Sequence, residues 1–294
     1  MTIEESMFLD GFEGYRNFTG ELCKRVSEHR RTLETRHVTF IENCFSLACN
    51  VPSHYHERPF LSFSLNSSFE ETCGRHHKLI EPLTITYHPS GRVHQNRILS
   101  DGVQFIHVTL KDSLFSQLKL RLRHVENLPH LLTGDFQRIC LNLYREYRNF
   151  DQFSDLIIES NIYGLFAQAC RFSQQSAGWK KPAWLKRIVA RISERHIGTY
   201  SLHKLAEEVS VHPAHLARVF KENHGCSIGH YVRKLKVQDA CKMLGQRDMK
   251  ISEIAAATGF ADQSHFTKVF KMHLGVTPLV YRRLLFAGSH TSKQ

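Results

Sequence analysis

Long apolar runs are the first feature that this 294-residue sequence lacks. No stretch of about 18 apolar residues occurs, so the sequence predicts no membrane-spanning helix. The first ten residues, MTIEESMFLD, carry acidic side chains where a signal peptide carries basic ones, and no apolar segment follows them. We therefore expect a cytoplasmic protein with no membrane partner.

Paired cysteines and catalytic constellations are also missing. The eight cysteines include no C-x-x-C pair, so their pattern is not typical of a zinc site or of a secreted disulfide framework. No carboxylate pair, nucleophile–base arrangement or phosphate-binding glycine loop stands out. The sequence thus predicts a protein that is not an enzyme and has no catalytic residues.

Acidic residues are scarce in one part of the chain only. Residues 182–294 contain 18 Lys and Arg against 8 Asp and Glu, whereas residues 1–181 contain 21 against 20. The net charge of +11 is therefore concentrated in the last third of the chain. A nearly neutral body with a basic C-terminal part indicates a polyanionic partner.

The sequence changes from β-type patterns to helical patterns along the chain. Short β-type runs at 37–50, 60–66, 83–87 and 103–108, separated by turn signals, predict a β-barrel or sandwich over about residues 35–112. Helical patterns follow at about 113–172, where Ile158, Ile162, Leu165 and Ala169 mark a face that packs on the barrel or mediates self-association. We expect a domain over residues 1–172, a polar linker at 173–181 and an all-helical domain over 182–294, which together make an α+β fold.

The helical domain contains an internal repeat. HLARVFK at 215–221 is followed by Gly225, and HFTKVFK at 265–271 is followed by Gly275. A short helix and a tight turn precede each copy, which is typical of a helix-turn-helix unit. The repeat predicts two such units at about 202–223 and 251–273, joined by one long helix.

The second helix of each unit has an apolar face and a polar face. The polar face carries small or polar residues first and cations later, as suits a helix that enters a major groove. Its members are Ala214, Ala217, Arg218 and Lys221 in the first unit and Ser264, Thr267, Lys268 and Lys271 in the second. A helical hairpin repeat with two solvated basic faces is the structural alternative.

Over about residues 184–286 the sequence resembles the AraC/XylS family of bacterial transcription regulators. The resemblance rests on Ile251-x-x-Ile254-Ala255-x-x-x-Gly259-Phe260-x-Asp262-Gln263-Ser264-His265-Phe266-x-Lys268-x-Phe270-Lys271, followed by Gly275-x-Thr277-Pro278-x-x-Tyr281-Arg282. Ile228 and Lys236 depart from the family's usual proline and arginine. The resemblance implies base contacts from positions 214, 217, 218, 263, 264, 267 and 268, with Arg218, Gln263, Ser264 and Thr267 making most of the direct readout.

The resemblance also implies a cupin-like N-terminal barrel that binds a small molecule. His54-x-His56 and the later His94 are similar to the imidazole triad of metal-binding cupins, but Pro59, Phe60 and Leu61 stand where the usual glutamate is found. We therefore expect the histidines to line an effector pocket, and we predict no metal or other cofactor. The predicted ligand-binding residues are His54, His56, Tyr87 and His94.

Together these features predict an effector-responsive transcription activator. It would bind double-stranded promoter DNA through two recognition helices, form a homodimer and contact RNA polymerase. Two alternatives remain open: a cupin-type metalloenzyme fused to a DNA-binding module, and a basic architectural protein without sequence preference.

Overall fold

The computed structural model describes residues 15–16, 27–116, 136–176, 182–195 and 201–286. The predicted α+β order is confirmed, because strands precede helices throughout these ranges. The strands are β1 (Tyr15–Arg16), β2 (Ser27–Glu34), β3 (Val38–Phe45), β4 (Cys49–His56), β5 (Phe60–Ser64), β6 (Phe69–Cys73), β7 (His76–Ile80), β8 (Thr86–His88), β9 (His94–Ile98) and β10 (Val103–Leu110). The helices are α1 (Phe136–Arg148), α2 (Ser154–Ser176), α3 (Ala183–Arg195), α4 (Leu202–Glu207), α5 (Pro213–His224), α6 (Ile228–Leu244), α7 (Ile251–Ala257), α8 (Gln263–Leu274) and α9 (Pro278–Phe286).

The N-terminal domain consists of two antiparallel sheets that face each other. One has the strand order β1-β4-β9-β6-β7 and the other β2-β3-β10-β5-β8. Phe105 of the second sheet meets Phe69 of the first, with ring centroids 4.8 Å apart. The described strands form two sheets rather than one closed barrel, an arrangement that is consistent with the cupin-like expectation.

The sheets begin earlier than predicted and contain strands that the sequence did not reveal. Strand β2 starts at Ser27 rather than near residue 35, because its sequence SEHRRTLE has no apolar alternation. The same reason hid β6, β7 and β9. The run at 83–87 contributes a strand only from Thr86, because Leu83 has a positive φ of 56° in a turn.

Helices α1 and α2 cover the sheet that contains β10. The fully buried carboxylate of Glu42 on β3 accepts hydrogen bonds from Tyr144 (3.3 Å) and Tyr147 (3.1 Å), which anchors α1. The predicted apolar face of α2, including Ile158 and Ile162, is buried in the same core. Helix α2 runs to Ser176, four residues into the predicted linker 173–181, and residues 177–181 lie outside the described ranges.

The C-terminal helices belong to two different cores. Helix α3 and the first helix-turn-helix unit (α4 and α5) have a core of their own, centred on Ile192, Leu205 and Phe220. The second unit (α7 and α8) and α9 instead share one continuous core with α1, α2 and the β10 sheet. The boundary predicted at residue 182 therefore does not separate two hydrophobic cores, because residues from both sides of it share one core.

Hydrogen bonds reinforce this junction between the N-terminal domain and the second unit. The buried Gln104 of β10 donates to the carbonyl of Leu285 (2.7 Å). The buried Gln238 of α6 donates to the carbonyl of Pro82 (3.0 Å) and to Thr84 Oγ1 (3.2 Å). The hydroxyl of Tyr281 donates to the carbonyl of Leu65. Such buried polar pairs fix the orientation of the second unit, because an unpaired buried amide or carbonyl is costly.

Helix α6 crosses from one core to the other. Its first half places Ile228 and Val232 in the core of the first unit, and its second half places Val237, Cys241 and Leu244 in the shared core. Continuous helical hydrogen bonding makes α6 a stiff connection between the two units.

Candidate functional site

The first unit presents the polar face of α5 to solvent. His212 caps the helix by accepting a hydrogen bond from the backbone N–H of Ala214 (3.2 Å), and Pro213 stands in the first turn, where proline is well tolerated. Leu216, Val219 and Phe220 are buried. This orientation leaves Ala214, Arg218 and Lys221 exposed and Ala217 half-buried, as the sequence pattern predicts.

The second unit is built in the same way. Helix α8 begins after Asp262, whose carboxylate accepts from the backbone N–H of His265 (2.7 Å), and its buried stripe is Phe266, Val269 and Phe270. Gly275 ends the helix in the left-handed region, at a φ of 79°. The exposed residues on the opposite side are Gln263, Ser264, Lys268 and Lys271, with Thr267 half-buried. Both predicted faces are thus accessible to a partner.

A groove of about 790 Å³, lined by both apolar and basic side chains and called the basic groove below, lies between the two units. Helix α5 contributes Arg218 and Lys221, and the second unit contributes Phe260 and His265 on the other side. Arg233 and Lys236 of α6 form part of the groove wall. The groove therefore combines four cations with the turn that precedes α8.

Sequence reasoning missed Arg233 and gave Lys236 only as a departure from the family pattern. The two side chains are three residues apart on α6, a spacing that places them on one face of a helix. Lys236 donates to the carbonyl of Gly259 (2.7 Å) and lies 5.6 Å from the centroid of the Phe260 ring, so it also fixes the turn of the second unit. The i, i+3 spacing of Arg233 and Lys236 on the linker helix is the signal that would have found them.

Arg218 is held in position by its own helix. Its guanidinium donates to Glu222, one turn further on (3.1 Å), and lies 3.2 Å from His215 Nδ1. An exposed ion pair of this kind contributes little stability, so a phosphate or a base edge can replace the carboxylate at small cost.

A second candidate site lies between the two sheets of the N-terminal domain. His54 on β4 stands directly opposite His94 on β9, and His56 follows two residues later on the same face of β4. All three imidazoles are buried, and each offers a ring nitrogen within 4.8 Å of the others. The structure thus brings together three of the four predicted ligand-binding residues.

Tyr87, the fourth, lies elsewhere. It belongs to the shared hydrophobic core, where its ring packs edge-on against Phe166 of α2 at 5.5 Å. Its neighbour His88 points the other way and comes within 4.5 Å of His94, measured between ring centroids. Successive residues of a strand face opposite sides, so only one of the two can reach the imidazole cluster.

Two further polar residues border the cluster. His88 Nε2 lies 3.2 Å from the buried carboxylate of Glu71 on β6, and His107 of β10 lies 5.8 Å from His56 between ring centroids. The sequence gave no signal for Glu71, because the pairing depends on how β6, β8 and β9 meet in space. A carboxylate is therefore present near the imidazoles, although not at the position typical of cupins.

Burial determines the protonation state of this cluster. Desolvation lowers the pKa of His54, lowers that of His94 to about 3, and lowers those of His56 and His107 further below their ordinary value. The neighbouring imidazoles add to the shift, because a second positive charge nearby is unfavourable. At neutral pH these four rings are neutral and keep a lone pair on one nitrogen.

Comparison with known proteins supports the reading of the C-terminal helices. A helix-turn-helix domain profile matches residues 205–284. The chain is 46% identical to the probable transcription factor PqrA of Proteus vulgaris over 68 residues, which are 23% of this chain and 56% of PqrA. It is 34% identical to the transcriptional activator AarP of Providencia stuartii over 98 residues, 33% of this chain and 73% of AarP. The solved structure of ToxT from Vibrio cholerae matches with a TM-score of 0.35 at 14% identity, covering 85% of this chain and 99% of ToxT.

The repeated helices, the exposed basic faces and the profile match define a protein with a double helix-turn-helix DNA-binding module. The chain belongs to the AraC family of transcription regulators. Its match to PqrA spans little more than half of the length of that relative. Among the described residues, no helix has the length and apolar character needed to cross a bilayer.

Proposed function

We propose that this protein is an effector-responsive transcription regulator that binds promoter DNA in a sequence-specific way. Helices α5 and α8 enter successive major-groove segments, where Arg218, Gln263, Ser264 and Thr267 read base edges. Ala214 and Ala217 allow close approach, and Lys221, Lys268 and Lys271 meet phosphates. The activity is exercised in the cytoplasm and includes no catalysis.

The observation that supports this proposal best is the basic groove between the two units. Two major-groove segments on one side of a duplex are separated by a stretch of sugar-phosphate backbone. Lys221, Arg233 and Lys236 line the groove beside Arg218, and we assign these three cations to the phosphates of that backbone. Basic side chains that line one groove between the units favour a single duplex as the partner over two independently solvated faces.

The junction between the second unit and the N-terminal domain supports effector response. Gln238 connects the linker helix α6 to the loop that leads into β8, which carries His88 of the imidazole cluster. A ligand that binds one arrangement of this junction more tightly than another shifts the placement of the two units. Activation would further require a contact with RNA polymerase.

Selection of binding sites from a random duplex library tests sequence specificity. We expect the wild-type chain to prefer its selected site over random DNA by at least ~10³ at matched salt. Gln263→Ala should reduce affinity for the selected site about 5-fold to 150-fold and relax the preference at one base position. Gln246→Ala, which changes an exposed glutamine between the units, is the matched control.

Equal affinity for selected and random duplexes would contradict the proposal and favour the architectural alternative. Arg218→Ala provides an independent measure in the first unit, with Arg75→Ala in the N-terminal domain as its control. If Arg218→Ala weakened binding to both kinds of DNA alike, Arg218 would contact phosphate rather than a base.

A homodimer is the second part of the proposal. Helix α2 buries one face in the domain and exposes apolar residues on the other: Leu156 is 67% exposed and the adjoining Phe153 57%, with Ile157 and Tyr163 nearby. A second copy of the chain that covers this stripe would remove it from water. It would also raise the effective concentration of the second DNA-binding module.

Sedimentation velocity tests the dimer. We expect Leu156→Glu to weaken self-association by at least about tenfold, because a carboxylate would be buried in the apolar interface. Gln168→Glu, an exposed change of the same final residue further along α2, should leave the association unchanged. A wild-type chain that sediments as a monomer at micromolar concentration would refute this part.

A further inference from the structure

The imidazole cluster has a feature that a general ligand pocket does not require. The side chains of His54 and His94 are each fixed by a backbone carbonyl two residues earlier in the chain. His54 Nδ1 lies 2.7 Å from the carbonyl of Pro52, and His94 Nδ1 lies 3.2 Å from the carbonyl of Arg92. The same local arrangement therefore occurs at both histidines.

These two contacts determine the tautomer of each ring. A carbonyl oxygen can only accept, so Nδ1 must carry the proton and donate it. In a neutral imidazole the lone pair then resides on Nε2. Backbone carbonyls commonly hold metal-binding histidines in this way, because the outer hydrogen bond orients the ring and increases the basicity of the ligating nitrogen.

The spacing of the three rings is close to that of a metal site. Nitrogens that bind one tetrahedral ion at 2.0–2.1 Å lie roughly 3.3 Å from one another. The ligand atoms of His54, His56 and His94 lie within 4.8 Å of one another, so small rotations of the side chains would complete the site. The two strands that carry them are hydrogen-bonded with His54 opposite His94, which fixes the backbone geometry.

The surroundings of the cluster suit a bound cation. Three neutral imidazoles carry no charge to balance it, so a nearby carboxylate is needed. Glu71 contributes a buried carboxylate beside His88, whose ring lies 4.5 Å from that of His94. The ring of Phe60 packs on His56 at 4.0 Å and shields the cluster from water. Imidazole nitrogens select zinc, copper, nickel or iron over magnesium and calcium, which prefer oxygen ligands.

We propose that His54, His56 and His94 bind one divalent transition-metal ion, and that this ion is the effector that the N-terminal domain senses. The second half of this proposal rests on the proposed function as a DNA-binding regulator. The path to the DNA-binding helices is short. His88 lies 3.0 Å from Thr86 Oγ1, and Thr84, two residues before Thr86, accepts the hydrogen bond from Gln238 of α6.

Metal titration of the purified full-length chain tests the site. The chain is stripped with a chelator, kept reduced and titrated with Co²⁺ and Zn²⁺, with the visible absorption of Co²⁺ as the readout. We expect one equivalent per chain, and at least about 100-fold weaker binding in His54→Ala and in His94→Ala. His76→Ala, an exposed histidine on β7, should bind like the wild type.

Absence of binding by the wild type, or equal binding by all variants, would overturn the metal site. X-ray absorption of the zinc-loaded wild type keeps the test valid if the variants fail to fold. It should show nitrogen or oxygen ligands at 2.0–2.1 Å, and a sulfur ligand at about 2.3 Å would place the ion at a cysteine instead.

DNA affinity measured with and without one equivalent of Zn²⁺ tests the effector role. We expect at least a fivefold change for the wild type and none for His54→Ala. Stoichiometric metal binding with unchanged DNA affinity would overturn the effector role. Failure to prefer any DNA sequence, with metal bound at the three histidines, would instead refute the proposed function and leave the metal site standing.

Discussion

His273 makes the junction between the second unit and the N-terminal domain sensitive to acid. Its ring lies on α8, only 9% exposed, and faces His230 of α6 at 4.7 Å between ring centroids. Arg138 of α1 and Arg233 and Lys234 of α6 add positive charge around it. Burial, and then these cations, lower the pKa of His273 from 6.5 to about 4.

The sign of the effect follows from which state binds the proton first. As the pH falls below 6.5, the unfolded chain protonates His273 while the folded chain does not. The contribution of His273 to the free energy of unfolding is therefore fully present above pH 6.5. It is lost as the pH falls from 6.5 to 4 and does not change further below pH 4. One pKa unit corresponds to 1.36 kcal/mol, so the full loss is about 3 kcal/mol, of which about 2 kcal/mol has occurred at pH 5.

Urea denaturation at pH 7.5 and pH 5.0 measures this contribution, with His273→Gln as the reference. Glutamine does not titrate, so other histidines contribute equally to both proteins and their effect cancels. Between the two pH values we expect the wild type to lose about 2 kcal/mol more free energy of unfolding than the variant. Equal losses would refute the assignment of a depressed pKa to His273, whatever the absolute stability of either protein.

Three further changes test other parts of the structure. Arg233→Ala should weaken binding to selected and random DNA alike and reduce the slope of log K against log salt concentration by about one, as measured by fluorescence anisotropy. The control Arg75→Ala should change neither quantity, and an altered base preference in Arg233→Ala would contradict a phosphate role. Gln238→Ala should lower the free energy of unfolding by about 2 kcal/mol, because two buried acceptors lose their donor, and hydrogen exchange should quicken at the junction and not in the first unit. Ser210→Gly should stabilise the chain by about 1 kcal/mol, because Ser210 has a φ of 54° where the second unit has Gly259 at 71°, and a thermal melt that showed no gain would contradict strain at this turn.

The helix-turn-helix units were predictable from sequence because their information is local. The buried stripe, the capping residue and the terminal glycine of α8 all lie within 14 consecutive positions, from Asp262 to Gly275. The repeat shows this signal twice. Because residues three and four apart share one face of a helix, the position of the buried stripe also determines which residues lie on the opposite, exposed face. The exposed residues of α5 and α8 were accordingly placed correctly, although their roles in base readout stay predictions.

The imidazole cluster was predictable only in part. His54 and His56 share one face of a strand by simple alternation, but Tyr87 was grouped with them although it faces the opposite side from its neighbour His88. Glu71 was missed because it lies on β6, a strand that the sequence pattern did not predict. The pairing of β4 with β9 and the meeting of β6 with β8 are non-local, so no pattern along the chain reports them.

The shared core was not predictable for the same reason. Apolar positions on α8 and α9 show that these helices are buried against something, but not against what. Glutamine is usually exposed, so the residue type alone predicts that Gln238 and Gln104 lie at the surface. Both are buried instead, because they donate hydrogen bonds to partners more than 150 positions away in the chain. Long-range polar contacts of this kind have no signature in a single sequence.

The linker helix α6 acts as a lever arm, and its length determines how far the first unit moves when the helix tilts. Its 17 residues extend roughly 25 Å at 1.5 Å per residue, with the C-terminal half seated in the shared core and the N-terminal half in the first unit. A tilt of about 10° at the seated end would carry the other end by roughly 4 Å, which is close to the 3.4 Å rise of one base pair. A tilt of that size would therefore move the first unit by about one base step relative to the second.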